Sequence, residues 1–315
     1  MLGIILAADV VLILLSQFGL GTNLLGRGSL STLTPLLGVL ILVSLAQGVV
    51  IGTGGIDLSI PATITLTGSI VLKASGGTDG RLGRAIVVVV LACVVIGLVN
   101  GTLVEVFRLN ALVVTLATGQ LITGITELYQ GPVLATSNVP PALASMAAMS
   151  LGSVSIILFI GAACAILLAL GLNLTVPGRK LVAASASGRA ATLAGLAAGR
   201  LRIAAWVVAT LVCGLGALLL AGEIVTPDLT LGSPYLLSTV VVVVLGGAVL
   251  TGGRVSAAGI VAGAVFLTVL DQDLRVRDYS TAVSQIAQGI VLALGLAALG
   301  YARGWRLSRP RLRRS

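Results

Sequence analysis

Histidine is absent from this chain of 315 residues, charged residues make up only 9% of it and aromatic residues 3%. Each shortage excludes a class of protein. Without histidine, and without clustered carboxylates, the usual acid–base constellation is missing. The three cysteines, Cys93, Cys164 and Cys213, each sit inside an apolar run. There cysteine behaves as a small hydrophobe, and the spacing fits neither a zinc site nor a structural disulfide. The net charge of +9 invites a nucleic-acid reading, but aromatics are too few for base-stacking platforms. No Gly-x-x-x-x-Gly-Lys-Ser/Thr loop is present to cradle a nucleotide. A soluble surface is excluded as well, since soluble domains carry roughly 25% Asp, Glu, Lys and Arg.

What is abundant is apolar sequence. Hydrophobic residues form 57% of the chain and the mean hydropathy is +1.15. Such composition belongs to helices that use lipid as solvent. About ten apolar segments approach the ~20 residues a helix needs to cross the hydrocarbon core. They cover 2–20, 33–52, 58–74, 85–105, 111–130, 151–173, 203–222, 235–251, 255–270 and 283–301. Segments 58–74, 235–251 and 255–270 are short and punctuated by glycine, and read as broken or re-entrant. The expected fold is an all-α integral membrane protein of about ten transmembrane helices. It forms one domain over 1–302, followed by a basic tail, 303–315. The first segment lacks a basic leader and runs on to Leu20, so it reads as a span and not as a cleaved signal peptide, with the native start upstream of Met1 left open.

The arginines orient the spans. The connection 174–202 holds Arg179, Lys180, Arg189, Arg200 and Arg202 without an acid, and the tail holds six arginines without an acid. Both are expected in the cytoplasm, which also puts the N-terminus there. The loops 75–84, 131–150, 223–234 and 271–282 then face outward. Glu223, Asp228, Asp271, Asp273 and Asp278 support this; Arg81, Arg84, Arg275 and Arg277 oppose it. Glycine, at 41 residues, supplies small pairs such as Gly161–Ala165 and Gly259–Gly263 that let helices pack closely.

Polar residues inside apolar spans are few. Asp57 is the most costly of them, and two readings stay open. It follows the helix-breaking Gly54-Gly55 and stands where a cap for the next helix would stand. It also suits a gate or a contact with substrate hydroxyls. Thr115 and Thr118 share a helix face, and with Asn100, Gln120 and Gln47 either line a hydrophilic path or bond across helices as packing glue.

Three stretches carry a family resemblance. Gly54-Gly55-Ile56-Asp57-Leu58-Ser59, followed by Leu66-Thr67-Gly68, resembles the "GGIDLSVGS…LTG" signature of the ribose-type ABC transporter permeases. These form the carbohydrate branch of the branched-chain amino acid/ribose permease superfamily. Asn100-Gly101-x-Leu103-Val104, then Thr115-Leu116 and Gly124, is similar to "NGxLV…ATLGT…RG". Gly178-Arg179 through Ala190-Ala191 to Gly195, then Leu245-Gly246-Gly247 and Gly252-Gly253, resembles "GRxxxAxGxNxxAAxxxGI" followed by "VxGGxxxxGGxG". Order and spacing agree from about residue 22 to 300. The departures are Ile60-Pro61-Ala62 for "VGS", Thr123 for the arginine of "RG", Ser185 and Ser187 in the cytoplasmic block, and Asp271-Gln272-Asp273 for the family's "NNG".

The resemblance implies a non-catalytic permease subunit of an ATP-driven importer for a monosaccharide or related sugar, in the bacterial inner membrane. It implies that this chain binds no cofactor, that ATP and magnesium belong to a separate cytoplasmic ATPase, and that a sugar-binding protein works outside. It implies a second permease copy, identical or a sister chain. Asp57, Ser59, Asn100, Thr115, Thr118 and Gln120 become the substrate-path candidates. The connection 178–203 becomes the ATPase-coupling loop, with Gly178, Arg179, Ser187, Ala190, Ala191 and Gly195 as its candidates. Gly188 to Leu196 suits a short helix capped by Ser187. Other cargo (branched-chain amino acids, nucleosides, an autoinducer-like sugar) is the first alternative, an ion-coupled secondary transporter the second and a purely structural membrane protein the third.

Overall fold

The structure, a computed structural model, describes residues 2–19, 26–131, 138–186, 191, 193 and 195–302. The chain is a bundle of helices. Helix α1 (Leu2–Leu14) runs into a π-turn, Leu15–Gly19, and is followed by α2 (Arg27–Thr53) and α3 (Ile60–Ser75). Next come α4 (Leu82–Glu105), α5 (Ala111–Gln130) and the short α6 (Pro141–Ala147). A ribbon of β1 (Ser150–Leu151) against β2 (Val154–Ser155) leads into α7 (Ile156–Leu174). The second half holds α8 (Val176–Ala186), α9 (Ala198–Ile224), α10 (Tyr235–Leu245), α11 (Ala257–Val276) and α12 (Thr281–Ala302).

Among the described residues, seven helices are long and apolar enough to cross a membrane: α2, α4 with the 3-10 turn before it, α5, α7, α9, α11 and α12. The chain is therefore a multi-pass, all-α membrane protein. The remaining three apolar segments are shorter helices, Leu2–Gln17, Ile60–Ser75 and Tyr235–Leu245. At 1.5 Å per residue, the last reaches only about half of a ~30 Å hydrocarbon core. The segment at 255–270, expected to be short, is instead a helix of 20 residues. It continues through Asp271, Asp273 and Arg275, which are helical and not part of a loop. Glu223 likewise lies on α9, and Arg200 and Arg202 lie in its first turns. Helices ran past the hydropathy boundaries because a polar side chain at a helix end does not break backbone hydrogen bonding.

Helix α2 is the centre of the bundle. Its most apolar stretch is 89% buried, against 22% for α4 and 17% for α7. It is enclosed by α7, α9, α10 and α11, while α4 and α9 form the largest helix pair. Apolarity is similar in buried and lipid-facing helices, so only packing separates them.

Small residues set the close contacts. A Cβ on Gly38 would fall 2.6 Å from the Ile157 backbone, and one on Gly161 2.9 Å from the Gly38 carbonyl oxygen, so α2 meets α7 backbone to backbone. Gly259 and Gly263 do the same for α11 against α10, at 2.2 Å from the Gly246 oxygen and 2.5 Å from the Val242 oxygen. Both small-residue pairs noted in the sequence thus lie in helix contacts. Capping follows the sequence: Asn110, Ser155 and Ser256 each accept from a backbone N–H in the first turn of α5, α7 and α11, at 2.9, 3.2 and 3.0 Å.

Gly97 of α4 offers a test of this packing. A Cβ there would sit 2.3 Å from Thr210 Oγ1 and 2.6 Å from Val207 Cα, whereas Gly83, on the same helix, faces open space. Gly97→Leu is expected to cost about 1–3 kcal/mol through overpacking and lower the thermal unfolding midpoint in detergent. Gly83→Ala should leave it unchanged. Equal midpoints for the two variants would contradict the α4–α9 contact.

Candidate functional site

The most buried polar constellation is built around the break between α2 and α3. Helix α2 ends at Gly54, whose φ of 95° is open to glycine and strained for other residues. Its N–H donates to the Ile51 carbonyl at 2.9 Å, and that of Gly55 to Val50 at 3.3 Å. The chain then crosses the interior in non-helical form until α3 starts at Ile60. Such backbone is tolerated at membrane depth only when protein satisfies its polar groups.

Four of the six substrate-path candidates do this together. Asp57 Oδ1 accepts from the Ser59 N–H at 2.8 Å and from Ser59 Oγ at 2.5 Å. Ser59 Oγ accepts in turn from Asn100 Nδ2 of α4 at 3.1 Å. Thr115 Oγ1 of α5 accepts from the Leu58 N–H at 3.0 Å and lies within donating reach of the Ile56 and Ala111 oxygens, at 3.1 and 2.8 Å. All four side chains are at most 3% exposed. The carboxylate thus caps the turn two residues earlier than a helix N-cap would, since Ser59 and not Asp57 precedes α3. The cluster is a buried clasp joining α3, α4 and α5.

The other two candidates lie elsewhere. Thr118 is half-buried and bonds to the Thr115 carbonyl of its own helix at 3.3 Å. Gln120 is exposed on the outer face of α5, in line with Thr123 and Glu127, which are also exposed. These three positions follow i, i+3, i+7 spacing and form one stripe. Gln47, deep in α2, has neither side-chain polar atom hydrogen-bonded.

Distant glycine motifs meet at the same break. Gly253 N–H donates to the Gly52 oxygen at 3.0 Å, and a Cβ on Gly252 would fall 3.1 Å from Gly54 Cα. Trp206 of α9, fully buried, presses on Gly55, where a Cβ would be 2.9 Å from its ring. Next to this wall lies a cavity of about 450 Å³, lined by Thr53, Gly54, Gly55, Glu105, Arg108 and Arg202 among others.

Of the coupling candidates, Gly178 is buried against α7, where a Cβ would clash with the Gly171 oxygen at 2.0 Å. Arg179 is exposed. Ala191 is buried, and Gly195 is exposed with φ of 73°. Ser187 and Ala190 fall outside the described residues, as does most of the short helix expected at 188–196. Sequence reasoning missed a connection here. Arg202 Nη1 pairs with Glu105 Oε2 at 3.2 Å while its Nη2 donates to the Ala184 oxygen at 2.7 Å, so one guanidinium ties α9, α4 and α8 together. The only sequence signal was that Glu105 is a lone acid near a span end. Among the described residues no cluster of His, Cys, Asp and Glu is suited to a metal ion.

The family described as "branched-chain amino acid transport system / permease component" matches residues 29–300. The chain is 30% identical over 298 residues to a "probable ABC transporter permease protein y4mJ" of Sinorhizobium fredii, covering 92% of this chain and 86% of the relative. It is 28% identical to the L-arabinose ABC transporter permease protein AraH of Azospirillum brasilense, over 82% and 75%. It is 27% identical to the autoinducer 2 import system permease protein LsrD of Photorhabdus laumondii, over 81% and 78%. No solved structure matches the chain.

The clasp makes a separable prediction. Asp57→Ala would leave the Ser59 N–H and hydroxyl without their acceptor, an expected loss of about 1–3 kcal/mol in stability. Asp57→Asn keeps an oxygen at the same place and should lose less than half of that. Unfolding midpoints in detergent compare the two. Asn behaving as badly as Ala would mean that the negative charge itself is needed.

Proposed function

We propose a transport function for this chain, which belongs to the family of branched-chain amino acid transport system permease components. It forms the membrane path of an ATP-binding-cassette importer, and its cargo is a monosaccharide or related sugar. The sugar assignment is supported by the relatives named for L-arabinose and autoinducer 2, and by the Gly-Gly-Ile-Asp-Leu-Ser block. The chain itself carries no bond chemistry: ATP and magnesium are used by a separate cytoplasmic ATPase, and a sugar-binding protein delivers cargo from outside.

The observation that carries this reading is the stripe on α5. Amide and carboxylate side chains facing hydrocarbon are expensive. Gln120, Thr123 and Glu127 nevertheless lie exposed along one face of a membrane-crossing helix. A second permease copy facing α5 across a watered path removes that cost. Gln120 then borders the path with Thr123, while Asp57, Ser59, Asn100 and Thr115 fix the helices that shape it. Hydroxyl and amide groups offer a sugar both donors and acceptors.

The count of about ten spans is supported by how helix ends gather, and cytoplasmic termini by the arginines of 174–202 and of the tail. The C-terminal ends of α2 and α4 and the N-terminal end of α9 meet at the 450 Å³ cavity. Alternation from a cytoplasmic N-terminus, counting α1, α3 and α10 as spans, puts those three ends on the cytoplasmic side. On this reading, residues 178–203 dock the ATPase and Arg202 carries its movement to α4 through Glu105. A rigid-body shift passed through a packed contact is an ordinary way for such coupling to work.

Reconstitution with the cognate ATPase and binding protein tests the reading. ATP-dependent uptake of a pentose or hexose is expected. Uptake restricted to leucine, isoleucine and valine would refute the sugar assignment. Replacing Ala190, Ala191 and Gly195 with glutamate is expected to abolish uptake while ATP hydrolysis continues, and unimpaired uptake would remove 178–203 from the coupling role.

A further inference from the structure

A second cavity lies at the opposite end of the bundle, apart from both the clasp and the α5 stripe. It measures about 210 Å³ and is bounded by the N-terminal half of α2, the C-terminal ends of α9 and α11, and the start of α10. One wall is apolar, formed by leucines that include Leu36, Leu40 and Leu220. The other is polar, formed by Ser238, Thr268, Asp271, Gln272 and Arg275.

The polar wall is organised from behind. Gln288 of α12 donates through Nε2 to Asp271 at 3.2 Å, and the Ser238 hydroxyl lies within donating reach of its Oε1 at 3.1 Å and of the Pro234 oxygen at 2.7 Å. Gln288 is buried, so this chain fixes the Asp271 carboxylate and the Ser238 hydroxyl against three helices. Asp271 and Arg275 stand one turn apart on α11 and line the same space without forming an ion pair with each other. Asp271 is half-buried and Arg275 is exposed, so the wall offers a polar ligand an acceptor and a donor side by side.

We propose that this cavity binds one neutral, sugar-sized polyol within each protomer. At ~30 Å³ per water the space matches about seven waters, the scale of a single ring and not of a disaccharide. A sugar ring has the required asymmetry. Its hydroxyl edge meets a carboxylate, an amide, two hydroxyls and a guanidinium, and its C–H face meets leucines. Opposite charges in the wall sum to zero, which suits an uncharged ligand. The position coincides with the Asp271-Gln272-Asp273 departure from the family pattern, so cargo discrimination by this chain has a physical location. The proposal rests on the importer reading for its choice of probes and for placing this end outside.

Thiol protection tests it. In right-side-out vesicles holding the assembled transporter, Ile224→Cys, at an exposed position on the cavity's edge, is expected to react with a membrane-impermeant maleimide, against a background set by the parent chain. L-arabinose, D-ribose, D-xylose and D-galactose are the probes. At about ten times its dissociation constant, a bound sugar should slow labelling about tenfold, because only the free site reacts. Adding Gln272→Leu to Ile224→Cys should keep the labelling and remove the protection. Labelling that no sugar slows, the absence of labelling from the outer face, or protection by L-leucine instead would each overturn the proposal. Uptake assays separate the two claims: protection without ATP-driven uptake upholds the cavity and sinks the importer, and uptake without protection does the reverse.

Discussion

A helix that ends inside a membrane must find partners for the backbone groups it releases, and the break after α2 is where this chain meets that demand. No water is available there to accept an orphaned N–H. The break is satisfied from three directions: by Asp57 on the Ser59 N–H, by Thr115 on Leu58, and by the Gly52 oxygen on Gly253. Each partner fixes another element. Thr115 fixes α5, Asn100 fixes α4 through Ser59, and Gly253 fixes the connection between α10 and α11. The position of α3, and with it half of the bundle, follows from closing one turn.

The second dependence is on backbone approach. Lipid gives no hydrophobic reason for one apolar helix to prefer another, so contact has to come from shape and hydrogen bonding. Gly38 against Gly161, Gly259 against Gly246 and Gly97 against Thr210 bring helices together at separations no side chain would permit. Hydroxyls complete the economy. On α3, Thr63, Thr65, Thr67 and Ser69 each bond to the carbonyl four residues earlier, so a helix rich in polar side chains packs in the interior with those hydroxyls satisfied.

The two ends of the bundle use charge differently. Arg202 spends its guanidinium on Glu105 and on the Ala184 carbonyl, a tie that joins the basic connection to the helix carrying Asn100. At the opposite end the carboxylate of Asp271 is held by an amide, Gln288, which leaves charge directed into a cavity. A tie between two charges transmits movement; an amide-held carboxylate remains able to accept another donor. This difference is why the first end is read as coupling and the second as recognition.

The membrane class, the apolar segments and the special status of Gly54 to Ser59 were legible in the sequence. They depend on composition and on local backbone chemistry, both of which are written residue by residue. Capping of the following turn by Asp57 was legible for the same reason, being an interaction across two residues. Four things were not. Gln120 was grouped with Thr115 as a path candidate, yet it faces outward while Thr115 faces in, because five residues carry a helix to a different side. Segment 255–270 looked short because hydropathy stops at Asp271 while hydrogen bonding does not. The pairing of Glu105 with Arg202 joins positions 97 residues apart. The bond from Gln288 to Asp271 depends on how α12 packs against α11. Sequence alone therefore determined that this chain lives in lipid and that a helix breaks at Gly54-Gly55. Only tertiary structure decided which polar groups meet, because in a membrane every helix is apolar enough to be buried and packing geometry chooses among them.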